Sequence, residues 1–107
     1  MMSYMSKLHS EEADHLFKTV LELKTEEECY RFFEDLLTVS ELSSMTQRWE
    51  VARMLNRGST YQAIVAKTGA SSATISRVNR CLHYGADGYR LMLDRMKEPS
   101  GSGKTKE

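Results

Sequence analysis

The chain has one proline, Pro99, and six glycines, three of which (Gly88, Gly101 and Gly103) fall in the last twenty residues. The rest is poor in helix breakers, and no run of alternating apolar residues asks for a strand. Cysteine is equally scarce. Cys29 and Cys81 stand far apart and in no metal-ligand spacing, which points to free, mostly buried thiols in a reducing compartment. His9, His15 and His83 form no i, i+4 pair and have no acidic or cysteine partner at zinc spacing, so no metal site and no cofactor are expected. No apolar run approaches the roughly 18 residues of a membrane span, and the N-terminus carries no signal-peptide pattern. A cytoplasmic protein without a membrane partner is the expectation. Catalysis also lacks support, because no Ser, His and acid residues sit where a nucleophile would be oriented against a base.

What the chain does have is large apolar side chains. Seven methionines and nine aromatic residues (one Trp, five Tyr, three Phe) in 107 residues are generous for one small domain with a marginal core. A core shared between subunits would use them, and so would an ordinary monomeric bundle.

Net charge is zero, yet its distribution is uneven. Residues 1–50 carry eleven acids and five bases, a net of −6. Residues 51–86 carry Arg53, Arg57, Lys67, Arg77 and Arg80 and no acid, a net of +5. Residues 87–107 add four acids and five bases, a net of +1, which closes the sum. A 36-residue stretch without a carboxylate is either chance clustering or the footprint of a phosphate-facing surface.

The periodicity predicts about six helices. Ser10 caps the first, with Glu11 and Glu12 in its first turn and a stripe of Ala13, Leu16, Phe17, Val20 and Leu21. Thr25 and Glu28 form a capping box for the second, whose stripe is Cys29, Phe32, Phe33, Leu36 and Leu37. Ser40 caps a long third helix that ends near Arg57 at Gly58. Leu42, Met45, Trp49, Ala52 and Leu55 mark one face of it, and Val51 and Met54 a second, as expected of a helix buried between layers. A short helix follows over 61–67, capped by Ser59 or Thr60, and Thr68-Gly69-Ala70 breaks it. Ser71 or Ser72 caps the next helix, 73–82, which Gly85 ends. Asp87 then caps a last helix with Tyr89, Met92, Leu93 and Met96 on its inner face. One helical domain over 1–98 and a disordered tail over 99–107 complete the expected organisation.

A short helix, a glycine turn and a second helix are the plan of a helix-turn-helix, here about residues 60–83. Gly69 supplies the positive φ of the sharp turn, and Ile64, Val65, Ile75 and Val78 are spaced to lock the helices together. The slot four before the turn glycine is usually small, and here it is Val65. Short polar groups crowd the start of the second helix, with basic residues behind them. The candidate DNA-binding residues are Gln62, Lys67, Ser71, Ser72, Ala73, Thr74, Ser76, Arg77 and Arg80, with Asn79 on the same polar face. The bland alternative is two amphipathic helices joined by a glycine turn in a plain bundle.

Leu37-Thr38, Arg48, the Arg57-Gly58 helix end and Gly69-Ala70 followed by Ala73-Thr74-Ile75-Ser76-Arg77 resemble the Trp repressor family, in its YerC/YecD-type branch. The resemblance covers about Leu37 to Met96, and the first two helices fit by length and pattern only. It implies an all-α fold of six helices, an intertwined homodimer built on the outer helices, and two reading heads for double-stranded DNA. In the tryptophan-responsive members two arginines sandwich the indole ring, and Arg48 and Arg77 stand at those positions, with Thr38 beside the pocket. Two positions depart from the pattern. A glycine after the second arginine is Val78, and a serine that helps hold the ligand's amino group is Cys81. The possible ligand pocket Thr38, Arg48, Arg77, Val78 and Cys81 is therefore not expected to take tryptophan as a corepressor.

The expectation is thus a sequence-specific transcriptional regulator, a repressor by analogy, that works from the cytoplasm and the nucleoid. The competing readings are a helical dimerisation module that docks an acidic protein partner, and a regulator controlled by another small ligand.

Overall fold

The computed structural model describes residues 4–100, in which six helices and no strands occur. They are α1 (Glu11–Val20), α2 (Glu26–Leu36), α3 (Val39–Asn56), α4 (Tyr61–Thr68), α5 (Ser72–Tyr84) and α6 (Gly88–Arg95). Where the sequence suggests one domain over 1–98, the contacts divide the chain into two compact units, Met1–Thr38 and Val39–Glu107.

In the first unit the helix starts follow from side-chain chemistry. The Ser10 hydroxyl accepts from the Ala13 amide at 2.9 Å, and three acids in the first turn complement the positive end of the α1 dipole. Thr25 accepts from the Glu28 amide at 3.1 Å, while the Glu28 carboxylate reaches back to the Lys24 amide at 2.8 Å. That is a capping box extended by one residue. Neither helix buries a single residue. Cys29 is exposed and Cys81 half-buried, so the expected burial of both thiols is corrected.

The second unit has its own core. Val51, Ala52, Met54, Ile64, Ala70, Ile75 and Val78 form one buried cluster, with Trp49, Leu55 and Tyr89 packed against it, and Leu82 and Leu93 are buried as well. Helix α3 starts at Val39, so Ser40 lies inside it and does not cap it. Only its C-terminal half is buried. Leu42 is half-buried and Met45 exposed, which corrects the expectation of two apolar faces buried along the whole helix. Its end behaves as expected: Gly58 takes φ 87°, and the Ser59 amide reaches the Met54 carbonyl at 3.0 Å. In α6 only Leu93 is buried, Tyr89 is half-buried, and Met92 and Met96 are exposed, so half of the expected inner face looks outward. Asp87 holds the N-cap position at φ 67° but makes no side-chain cap bond.

Helix α6 is fastened to α3 through side chains. Arg53 pairs with Glu50 at 2.8 Å and with Glu98 at 3.1 Å. Asn56 accepts from Arg90 at 3.2 Å and donates to the Pro99 carbonyl at 3.1 Å. Ordered chain thus continues through Pro99, and residues 101–107 of the expected tail lie outside the described residues.

Candidate nucleic-acid interface

Three residues, Gly69 to Ser71, separate α4 from α5, and their geometry follows from their chemistry. Thr60 caps α4 by accepting from the Ala63 amide at 3.1 Å. At the other end Gly69 takes φ 71° with nothing near the place a Cβ would fill, so backbone conformation alone asks for glycine. The Thr68 hydroxyl donates to the Ile64 carbonyl at 2.7 Å and accepts from the Ala70 amide at 3.1 Å. Gln47 of α3 donates to the Thr68 carbonyl at 3.0 Å, which ties the turn to the long helix. Ala70 is buried, where a larger side chain would separate the helices. Nothing in the sequence singled out Gln47 or Thr68, because both act through one backbone group that no pattern reveals.

Ser71, and not Ser72, caps α5. Its hydroxyl accepts from the Thr74 amide at 3.1 Å and lies 3.2 Å from the Thr74 hydroxyl. Below the cap the helix divides cleanly. Ile75, Val78 and Leu82 face the core at i, +3 and +7, while Ser72, Ala73, Ser76, Arg77 and Arg80 are exposed at i, +1, +4, +5 and +8. Thr74 and Asn79 are half-buried. Gln62 and Lys67 of α4 are exposed. The expected locking contact holds for Ile64, Ile75 and Val78 but not for Val65, which is 46% exposed. A large residue is tolerated four before the glycine because its side chain leaves the interface.

The electrostatics of this face are those of an anion site. Helix α5 has no acid in its first turn, so the positive end of its dipole is left uncompensated beside three hydroxyl-bearing side chains. Lys67, Arg77 and Arg80 form no ion pair among the described residues. Arg53 is different. It is counted in the acid-free stretch, but Glu50 and Glu98, from just outside that stretch in sequence, take its charge and hold its pKa above the ordinary value. The basic surface is therefore smaller than the sequence count of five.

The five positions of the possible ligand pocket are placed as follows. Thr38 ends the first unit and is exposed. Arg48 on α3 is half-buried, Arg77 on α5 is exposed, and Val78 belongs to the buried core. Cys81 borders an open cleft of about 490 Å³, lined also by Trp49, Ala86, Gly88, Tyr89 and Met92. Burial and the nearby Cys81 push the Tyr89 phenol above its usual pKa, against the opposing charges of Arg48 and Arg77. Among the described residues no three His, Cys, Asp or Glu side chains are grouped to hold a metal ion, and no helix is long and apolar enough to cross a membrane.

A family model described as "Trp repressor protein" matches residues 11–97. The uncharacterized protein YerC of Bacillus subtilis is 55% identical over 102 residues, covering 95% of this chain and 98% of that protein. Two crystal structures superpose with a TM-score of 0.84 at 49% identity over 88% of this chain. One is a candidate Trp repressor from Staphylococcus aureus, covered to 94%, and the other a TrpR-like protein from Eubacterium eligens, covered to 97%.

Proposed function

Because the chain belongs to the Trp repressor family, we propose that it is a sequence-specific DNA-binding regulator that represses transcription as a homodimer without tryptophan. The observation that carries this reading is the outer face of α5. Short polar side chains, an uncompensated helix N-terminus and two arginines with no ion pair lie together on an exposed helix that a tight turn presents. Ser72, Ala73, Thr74 and Ser76 enter the major groove, where small side chains allow close approach to base edges. Arg77 binds a guanine edge or a phosphate, and Gln62, Lys67, Ser71 and Arg80 hold the backbone on either side. The protein acts by binding and not by catalysis, from the cytoplasm and the nucleoid.

The dimer rests on a second observation. Helices α1 and α2 carry full apolar stripes and bury nothing in the single chain, leaving Phe17 61%, Tyr30 63% and Leu36 46% exposed. Exposed apolar surface on that scale is covered in solution, and a second copy supplies the matching stripes.

A salt titration of binding to random duplex DNA tests the reading. Replacing both Lys67 and Arg80 with alanine should weaken binding on every sequence and lower the salt slope by about 1.8, or about 0.9 for each lost phosphate contact. Replacing Thr74 or Ser76 should instead change base preference, read by selection from a random duplex library. Undiminished duplex binding by the double alanine variant overturns the groove assignment. Binding to an acidic protein, with none to DNA, would favour the dimerisation-module reading.

A further inference from the structure

We infer that Tyr89, stacked on Trp49, is a positioning residue that sets the pitch of the recognition helix for specific DNA. The inference rests on the DNA-binding reading of α5 and adds to it an element remote from the presented face.

The turn between α5 and α6 is stiff. At Gly85 an added Cβ would collide with the Cys81 carbonyl oxygen, and Asp87 sits at φ 67°. Helix α6 therefore follows α5 as an attached lever, anchored by the buried Leu93. In the first turn of that lever the Tyr89 ring lies 6.2 Å from the Trp49 ring of α3, with 22° between their planes. Both rings pack against the cluster that contains Ile75 and Val78, the residues on the inner side of α5. The stack thus links the fixed helix α3, the lever α6 and the back of the recognition helix. On its far side lies the open cleft bordered by Cys81 and Met92, so ring against ring, and not a filled core, holds Tyr89 in register there. The phenol also lies within electrostatic reach of Arg77, which faces outward on α5.

A tyrosine that merely filled space would tolerate any side chain of similar volume. A positioning stack needs a flat ring. Tyr89→Phe keeps the ring, and Tyr89→Leu keeps apolar bulk without it, so comparing the two separates the roles and avoids the cavity that alanine would leave. Aromatic pairing beyond area burial corresponds to roughly 2- to 12-fold in an equilibrium constant. Tyr89→Leu should therefore lose affinity for a selected duplex by about that factor, with random-duplex binding unchanged, and Tyr89→Phe should match the parent on both. Trp49 is the only tryptophan, so its emission reports the stack directly. In DNA-free protein it should shift in Tyr89→Leu and not in Tyr89→Phe, and amide exchange along α5 should quicken only in the leucine variant. Equal behaviour of the two variants in affinity, emission and exchange overturns the inference. Absence of duplex binding by the parent protein would instead overturn the DNA-binding reading, and the emission and exchange measurements would still decide whether Tyr89 positions α5.

Discussion

Helices α1 and α2 carry apolar residues at the same spacing as α5, yet Phe17, Leu21, Tyr30 and Leu36 stay exposed while Ile75, Val78 and Leu82 are buried. Their caps are of the same quality: Ser10, Thr25 and Ser71 each accept the expected backbone N–H. The difference lies in what the stripes face. In the second unit four helices close around one cluster, and the polar face of α5 is left to meet a ligand. In the first unit two helices cannot enclose a core between them, and their stripes remain to be covered. Charge divides along the same line. Helices α1 and α2 each have three acids in the first turn, whereas α5 has none and presents its positive end bare. One unit is thus suited to meeting apolar surface, the other to meeting phosphate.

The largest effect should come from charging the uncovered stripe. Phe17→Asp alters a side chain already 61% exposed in the single chain, so a self-sufficient first unit would scarcely notice it. If a second copy covers Phe17, the buried carboxylate costs several kcal/mol and the dimer dissociates at concentrations about a hundredfold higher or more. Analytical ultracentrifugation reads the shift. The parent protein should sediment as a dimer at micromolar concentration, and its thermal midpoint should rise with concentration. A stable folded monomer would erase the contrast between the units.

Next in size is the core of the second unit. Ile75→Ala should cost about 2–5 kcal/mol in denaturant unfolding, because it empties space in a cluster with no route to collapse onto solvent. Gly69→Ala should cost less, about 1–2 kcal/mol, since nothing crowds the site and only the left-handed backbone opposes a Cβ. Reversing that order would mean that the turn, and not the cluster, holds the reading head together.

Much of this was legible in the sequence, for identifiable reasons. Caps and glycine stops are local chemistry, so Ser10, Thr25, Gly58 and Gly69 announced themselves, and the polar face of α5 followed from period alone. Whether an apolar stripe is covered is not local. Met45, Val65, Met92 and Met96 have the periodicity of core residues and lie exposed, because tertiary contact decides which side of a helix meets a neighbour. Ser40 misled for a related reason: it has the chemistry of a cap, but the chain had already turned into α3 at Val39. Arg53 looked like part of a phosphate-facing surface until Glu50 and Glu98, on either side of the acid-free stretch, proved to hold it.

The smallest expected effect is none at all, and it tests whether the second unit is complete without a small ligand. Millimolar L-tryptophan titrated into the dimer should release no heat of binding and leave DNA affinity unchanged. The physical argument turns on two side chains of α5. An indole ring lying between Arg48 and Arg77 would need space beside Val78, which is only 1% exposed and packed into the core cluster. Displacing it costs about 1–3 kcal/mol of overpacking. Cys81 offers the ligand's ammonium a weak partner, and the lost charge-assisted bond costs roughly 1.5–3 kcal/mol. The lower ends alone sum to about 2.5 kcal/mol, nearly a hundredfold in affinity. The double change Val78→Gly with Cys81→Ser removes both obstacles and should begin to admit tryptophan. Because Val78 is a core residue, that gain should come with a loss of stability. The missing branched side chain and a glycine inside a helix together remove about 2–4 kcal/mol, so the variant should unfold earlier without ligand and recover part of the difference with it. Heat from tryptophan binding to the unaltered dimer would show that Val78 moves aside, and that the core of the second unit is looser than its burial implies.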